Sequence, residues 1–238
     1  MKAVILAGGM GKRLRPYTFS IPKPLLPIGE RPILALIIDH LKRFGIDEII
    51  LCVRYQAELI EAFCGDGENL GVRISYVKEK TPLGTAGPLC LTQDKIKADE
   101  IFIYMNGDII TRLDFGKLIE FHKHGGYEMT IGYTAFNYQV PFGVLKLNEG
   151  KIKDIVEKPV SEYSISTGIY CMTGSVIKHV PGNEPFAVPE LAKALIRKGN
   201  VVGAYPTEEF WVGLESRANI DEALEEIGRI EKDYLEKP

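Results

Sequence analysis

The stretch KAVILAGGMGKRLRPYT, residues 2–18, decides the fold. Its first part, Lys2 to Ala7, is a short apolar run ending in glycines, which predicts a strand buried on both faces of a parallel sheet. Its second part is a long loop at that strand's carboxyl end, where open α/β sheets bind their ligands. Working outward, apolar residues recur at helical spacing from Pro32 to Phe44, with Pro32 suited to a first turn and Gly45 to a stop. The runs EIILCV (48–53), VRISYV (72–77) and IFIYM (101–105) read as further strands, separated by helical stretches at 57–64 and 85–93. Strand and helix alternating in this way predict an α/β fold with a doubly wound, mostly parallel mixed sheet.

After a helical stretch at 115–123 the rhythm changes. MTIGYTAF, GVLKL, KIKDIVEK and ISTGIYCM are strand-like with few helices between them, and they are expected to add antiparallel strands to the same sheet. A helix at 188–197, a strand near Val201 and a charged helix from about 218 to 235 complete the chain. No repeat or Pro/Gly/Ser linker divides it, so residues 1–238 are expected to form a single domain.

Hydrophobic residues make up 45% and charged residues 26%, an ordinary globular composition. The apolar start is too short for a signal-peptide core, and no stretch reaches the ~18 apolar residues of a membrane span. Cys52, Cys64, Cys90 and Cys171 are scattered without metal-ligand spacing, as expected of reduced, mostly buried cytoplasmic thiols. A net charge of −3 supplies no general field for nucleic acid. Yet Lys12, Arg13, Arg15 and Lys23 fall close together, and a basic loop on an acidic protein points to a small anionic ligand.

The loop's chemistry agrees. Gly8, Gly9 and Gly11 let backbone N–H groups approach phosphate oxygens. Arg13 and Arg15 offer planar forks for bidentate contact. A Walker loop does not fit the spacing, and a dinucleotide fingerprint fails because Pro16 interrupts what should be a helix. His122 and His124, two apart on a helix, do not face each other and make a poor metal pair.

LAGGMGKRLRPYT followed by PKPLLPIGERPIL (22–34) resembles the signature of sugar-1-phosphate nucleotidylyltransferases, and most of all the guanylyltransferases that act on mannose-like or amino sugars. The resemblance continues through PLGTAGPL (82–89), NGD (106–108), FGV (142–144), EKP (157–159) and TGIY (167–170). It implies a Rossmann-like fold and an in-line attack by a sugar phosphate on the α-phosphorus of a nucleoside triphosphate, with pyrophosphate leaving. The implied substrates are a triphosphate, GTP favoured, and a sugar 1-phosphate. Thymidylyl, uridylyl and cytidylyl transfer use the same framework.

By that resemblance Arg13 and Lys23 are the catalytic cations. Leu6, Ala7, Gly8, Gly9, Gly11, Lys12, Arg13, Gly84, Thr85 and Gly87 would hold the nucleotide, although Lys12 stands where the family usually has threonine. Lys23, Gly143, Glu157, Lys158, Thr167 and Gly168 would hold the sugar phosphate. Asp108, at the end of a hydrophobic strand, would hold Mg²⁺. Thr85 could equally cap a helix, and Glu79 could either reach base-edge donors or lie exposed beside Lys78 and Lys80.

One departure matters. Where the family commonly has an aspartate two residues after a tryptophan as a second metal ligand, Trp211 is followed by Val212 and Gly213. Glu215 could face the same side of an extended segment and replace it. The missing carboxylate raises a different class of function, a nucleotide- or sugar-binding regulatory subunit that has lost catalysis. The sequence leaves a homo-oligomer open.

Overall fold

The first strand, β1, spans Lys2–Leu6, and its three middle residues are fully buried. Successive side chains of a strand point to opposite faces, so Ala3 and Ile5 enter one hydrophobic core while Val4 enters a second. A run of consecutive apolar residues is thus what a strand between two helical layers requires. The computed structural model describes residues 1–182 and 184–236.

In chain order the remaining strands are β2 (Pro27–Ile28), β3 (Arg31–Pro32), β4 (Glu48–Val53), β5 (Arg73–Lys78), β6 (Ile101–Asn106), β7 (Ile109–Thr111), β8 (Met129–Gln139), β9 (Val144–Asn148), β10 (Lys151–Val156), β11 (Val160–Thr173), β12 (Val202–Pro206) and β13 (Trp211–Gly213). The α-helices are α1 (Ile33–Lys42), α2 (Ala57–Cys64), α3 (Phe115–Gly125), α4 (Val188–Arg197) and α5 (Arg217–Glu236). None of the described helices is long and apolar enough to cross a membrane.

Seven strands form the main sheet in the order β12-β8-β11-β6-β1-β4-β5. β6, β1, β4 and β5 are parallel, whereas β11 runs antiparallel to both β6 and β8. The chain crosses from β1 outward to β4 and β5, then returns to place β6 on β1's other side. That reversal is the topological switch point of a doubly wound sheet, and the crevice it opens at the strands' carboxyl ends is the expected ligand site. The first core packs α1, α2 and α3 against one sheet face, and the second core packs α4 against the other.

Two expectations are corrected. The 85–93 stretch is not an α-helix but a 3₁₀ segment, Gly87–Thr92. It opens on Gly87-Pro88, and the amides of Ala86 and Gly87 are both tied to the Phe186 carbonyl, at 2.8 and 3.0 Å. GVLKL and KIKDIVEK do not join the main sheet; β9 and β10 form their own two-stranded ribbon. Glu149 and Gly150 between them both have positive φ, +49° and +78°, which matches the tight hairpin turn that folds two strands onto each other.

Candidate active site

Register fixes which residues converge at the switch point. Leu6 of β1 is level with Cys52 of β4 on one side and Asn106 of β6 on the other. The residues just beyond these three therefore emerge side by side. The amide of Ala7 donates to the Cys52 carbonyl at 2.8 Å and that of Gly107 to the Leu6 carbonyl at 2.9 Å, which holds the strand ends together. They floor a cleft of about 400 Å³.

Leu6, Ala7, Gly8 and Gly9 line the cleft's centre, and Arg13, Lys23 and Pro24 overhang it from the long loop. Asn106, Gly107 and Asp108 line the β6 side, while Arg54, Glu79, Pro82, Gly84 and Thr85 line the side of β4 and β5. Gly8 shows why glycine is needed: a Cβ there would stand 2.7 Å from Glu79 Oε1 and 3.2 Å from Arg54 Cβ.

The loop is braced from below by Thr18, which is fully buried. Its hydroxyl donates to the Gly11 carbonyl at 2.8 Å, and its own carbonyl accepts from the Tyr55 hydroxyl at 3.1 Å. Gly11 has φ +58°, and a Cβ there would meet Thr18 Cγ2 at 2.8 Å. Gly11 thus shapes the loop without lining the cleft. Lys12 is exposed outside it, and the Arg15 guanidinium sits 4.8 Å from the Phe19 ring centroid in a cation–π contact.

The cations above the cleft are held by carboxylates. Lys23 Nζ is ion-paired with Asp108, the residue two beyond the end of β6. Arg13 is ion-paired with Glu215. Glu215 follows β13, which pairs with β7 so that Gly213 is level with Ile109, and the Leu214 amide donates to the Asp108 carbonyl at 2.9 Å. The chain around position 213 therefore runs beside Asp108, but the Glu215 carboxylate engages Arg13. Among the described residues no group of three or more His, Cys, Asp or Glu is placed to hold a metal, and the carboxylates that line the cleft are Asp108 and Glu79.

Glu79 is half-buried, not exposed. Burial pushes its carboxyl pKa up, opposed by a hydrogen bond from the Leu83 amide (3.1 Å at Oε2) and by the Arg54 charge. Thr85 caps a helix, though a distant one: its hydroxyl accepts the Val188 amide at 3.0 Å at the start of α4. Gly84, with φ +76°, and Gly87 both pack against the chain at 184–186, and Gly87 lies outside the cleft lining.

The residues expected to hold a sugar phosphate are less concentrated. Gly168 has φ +73°, and a Cβ there would meet Asn106 Nδ2 at 2.6 Å, so it backs the cleft's β6 wall. The Thr167 hydroxyl is committed to the Gly132 carbonyl at 2.9 Å, and its carbonyl accepts the Trp211 indole N–H at 2.8 Å. Gly143 and Glu157 are neighbours, a Cβ on the glycine standing 3.0 Å from Glu157 Oε2. With Lys158, whose φ is +44°, they lie at the exposed root of the β9–β10 ribbon and do not line the cleft.

Sequence reasoning passed over Arg54, Pro24, Pro82, Asn106 and Gly107 as lining residues. The rule that points to Asp108 would have found Arg54, because it immediately follows the strand beside β1. His122 is buried between threonines, with ring nitrogens 2.9 Å from Thr130 Oγ1 and 3.1 Å from Thr173 Oγ1, and burial lowers its pKa to about 4.

Known proteins are similar to this chain in sequence and in fold. A mannose-1-phosphate guanylyltransferase catalytic subunit beta of Xenopus tropicalis is 36% identical over 220 residues, covering 90% of this chain and 61% of that protein. Mannose-1-phosphate guanylyltransferase 1 of Arabidopsis thaliana is 39% identical over 187 residues, 76% of this chain and 52% of that protein. The chain thus spans between half and two thirds of the length of these relatives. The crystal structure of HddC from Yersinia pseudotuberculosis complexed with GMP-PN superposes with a TM-score of 0.74 at 27% identity, covering 95% of this chain and 99% of that one. The family model described as Nucleotidyl transferase matches residues 2–214, from the first residue of β1 to the residue beside Asp108, and the chain belongs to that family.

Proposed function

We propose that the protein transfers a guanylyl group from GTP to a sugar 1-phosphate of the mannose type, releasing pyrophosphate. The observation that carries this reading is the meeting of Arg13, Lys23, Asp108 and Glu79 around the glycine-floored cleft at the switch point. Phosphate-directed cations and a metal-binding carboxylate stand at one part of it and a base-directed carboxylate at another. Guanine carries adjacent donors at N1 and N2, and a carboxylate such as Glu79 accepts from both. The guanylyltransferase relatives and the neighbour complexed with GMP-PN support the same base.

The transfer needs two anions brought together in line, and positioning with charge neutralisation supplies most of its catalysis. The amides of Gly8 and Gly9 cradle the triphosphate. Arg13 stabilises the leaving pyrophosphate, and Lys23 contacts the α-phosphate or the sugar phosphate as a compact cation. Asp108 fits Mg²⁺: it offers a hard oxygen donor in the cleft, and its carboxylate is already compensated by a cation, the Lys23 ammonium. When bound, the ion neutralises phosphate charge. We assign the sugar to the β6 and β11 side, with Gly168 allowing close approach behind Asn106 and with Glu157 and Lys158 outside the cleft lining, at the ribbon root, as candidates for its outer contacts. We take the chain as one catalytic domain working in the cytoplasm, consistent with its four free cysteines.

A second reading, a regulatory subunit that binds nucleotide without turning it over, is favoured by Gly213 in place of a carboxylate. One assay separates the two: pyrophosphate release measured with each of four nucleoside triphosphates and several sugar 1-phosphates, with and without Mg²⁺. Transfer predicts metal-dependent release, fastest with GTP and mannose 1-phosphate, and abolished in Asp108→Ala. Tight nucleotide binding with no release from any pair would establish the regulatory reading.

A further inference from the structure

Lys23 is neutralised by Asp108 and Arg13 by Glu215, but among the described residues the guanidinium of the cleft's remaining cation, Arg54, has no hydrogen bond or ion pair. It is half-buried at the carboxyl end of β4 and lines the cleft, where its charge acts on the Glu79 carboxyl without a hydrogen bond or ion pair. A free arginine fork there is available to a ligand, and its place in the sheet says to which part of the ligand.

Adjacent strands lie about 4.8 Å apart. The order β6-β1-β4-β5 therefore puts Asp108 one strand to one side of the glycines, and Arg54 one strand and Glu79 two strands to the other. With the triphosphate on the Asp108 side and above Gly8 and Gly9, the base lies over β4 and β5. Arg54 and Glu79 are neighbours there: the Arg54 charge acts on the Glu79 carboxyl, and both approach the face of Gly8.

We propose that Arg54 determines base specificity, donating its two N–H groups to O6 and N7 of guanine while Glu79 accepts from N1–H and N2. This inference rests on the guanylyl-transfer reading above. The two side chains then form a continuous donor and acceptor set around one purine edge, with O6 between them. An arginine fork on O6 and N7 is the commonest specific contact to guanine. Adenine would set its N6 amino group against the guanidinium, and pyrimidines have no N7. Arg54 binds the base and takes no part in bond making.

The test compares kcat/KM of the wild type, Arg54→Met and Arg54→Lys with GTP, ATP and 7-deaza-GTP, which lacks the N7 acceptor. The expected result is a loss of about ten- to a hundred-fold with GTP in both variants. Arg54→Lys keeps the charge but not the fork, so a similar loss there identifies geometry as the cause. The wild type should also discriminate against 7-deaza-GTP, and Arg54→Met should lose much of that discrimination. Circular dichroism melts matching the wild type confirm that the variants are folded. Equal losses on all three nucleotides, or full rescue by lysine, would mean a phosphate contact and overturn the proposal alone. A folded wild type that turns over another triphosphate in preference to GTP overturns both the proposal and the guanylyl reading.

Discussion

Asp108 and Lys23 neutralise one another in the cleft, so their individual loss should not act the same way. Asp108→Ala frees the lysine but removes the carboxylate proposed to hold Mg²⁺, and activity should fall by two to three orders of magnitude, the usual effect of losing an electrostatic stabiliser. Lys23→Ala should lower kcat similarly while leaving an unpaired carboxylate, and a raised Mg²⁺ requirement in a titration of rate against metal would not be expected. Gly168→Ala places a side chain 2.6 Å from Asn106 Nδ2 at φ +73°. It should cost at least about 1 kcal/mol in chemical denaturation and raise KM for the sugar phosphate more than for GTP. His122 offers a residue-scale stability test that is independent of function. Its pKa is about 4 in the fold against ~6.5 unfolded, so the unfolded chain binds more protons between those values. Its contribution is complete above pH 6.5 and is lost as pH falls toward 4, up to roughly 3 kcal/mol. Denaturation midpoints should drop over that window, and drop less in His122→Gln.

At the scale of elements, the cleft wall and α4 are joined through one hydroxyl. Thr85 caps the Val188 amide across a separation of 103 residues, so Thr85→Val should destabilise α4 by about 1 kcal/mol. Because Thr85 also lines the cleft, saturating nucleotide should recover part of that loss in thermal melts, whereas a variant elsewhere on α4 should show no such dependence. The element scale is also where the sequence was most and least legible. β1, β4 and β6 could be read because residues buried on both faces must all be apolar. The 3₁₀ segment after Gly84 could not, since its course follows from bonds to Phe186, a hundred residues away. The separate β9–β10 ribbon was hidden for the opposite reason: alternating apolar and polar residues look the same whether a strand joins the main sheet or pairs only with its neighbour.

On the whole-molecule scale the fold brings distant residues to one place: position 13 meets position 215, 23 meets 108, and 54 meets 79. The places of Gly8, Gly9, Lys23 and Asp108 at the cleft were legible because each stands at a strand end or within a distinctive motif. Arg54 follows an apolar strand as Asp108 does and could have been read by the same rule, but only the strand order puts it beside β1. Glu215 was visible as a carboxylate, but only packing reveals Arg13 as its partner. The function proposed for this cleft is to join a nucleotide to a sugar phosphate. It is tested most directly by incubating the protein with α-³²P-labelled GTP, mannose 1-phosphate and Mg²⁺ and following the label. Label is expected in a nucleotide sugar, with equimolar unlabelled pyrophosphate and no transfer in Asp108→Ala. Label remaining wholly in GTP, despite saturable nucleotide binding, would contradict it.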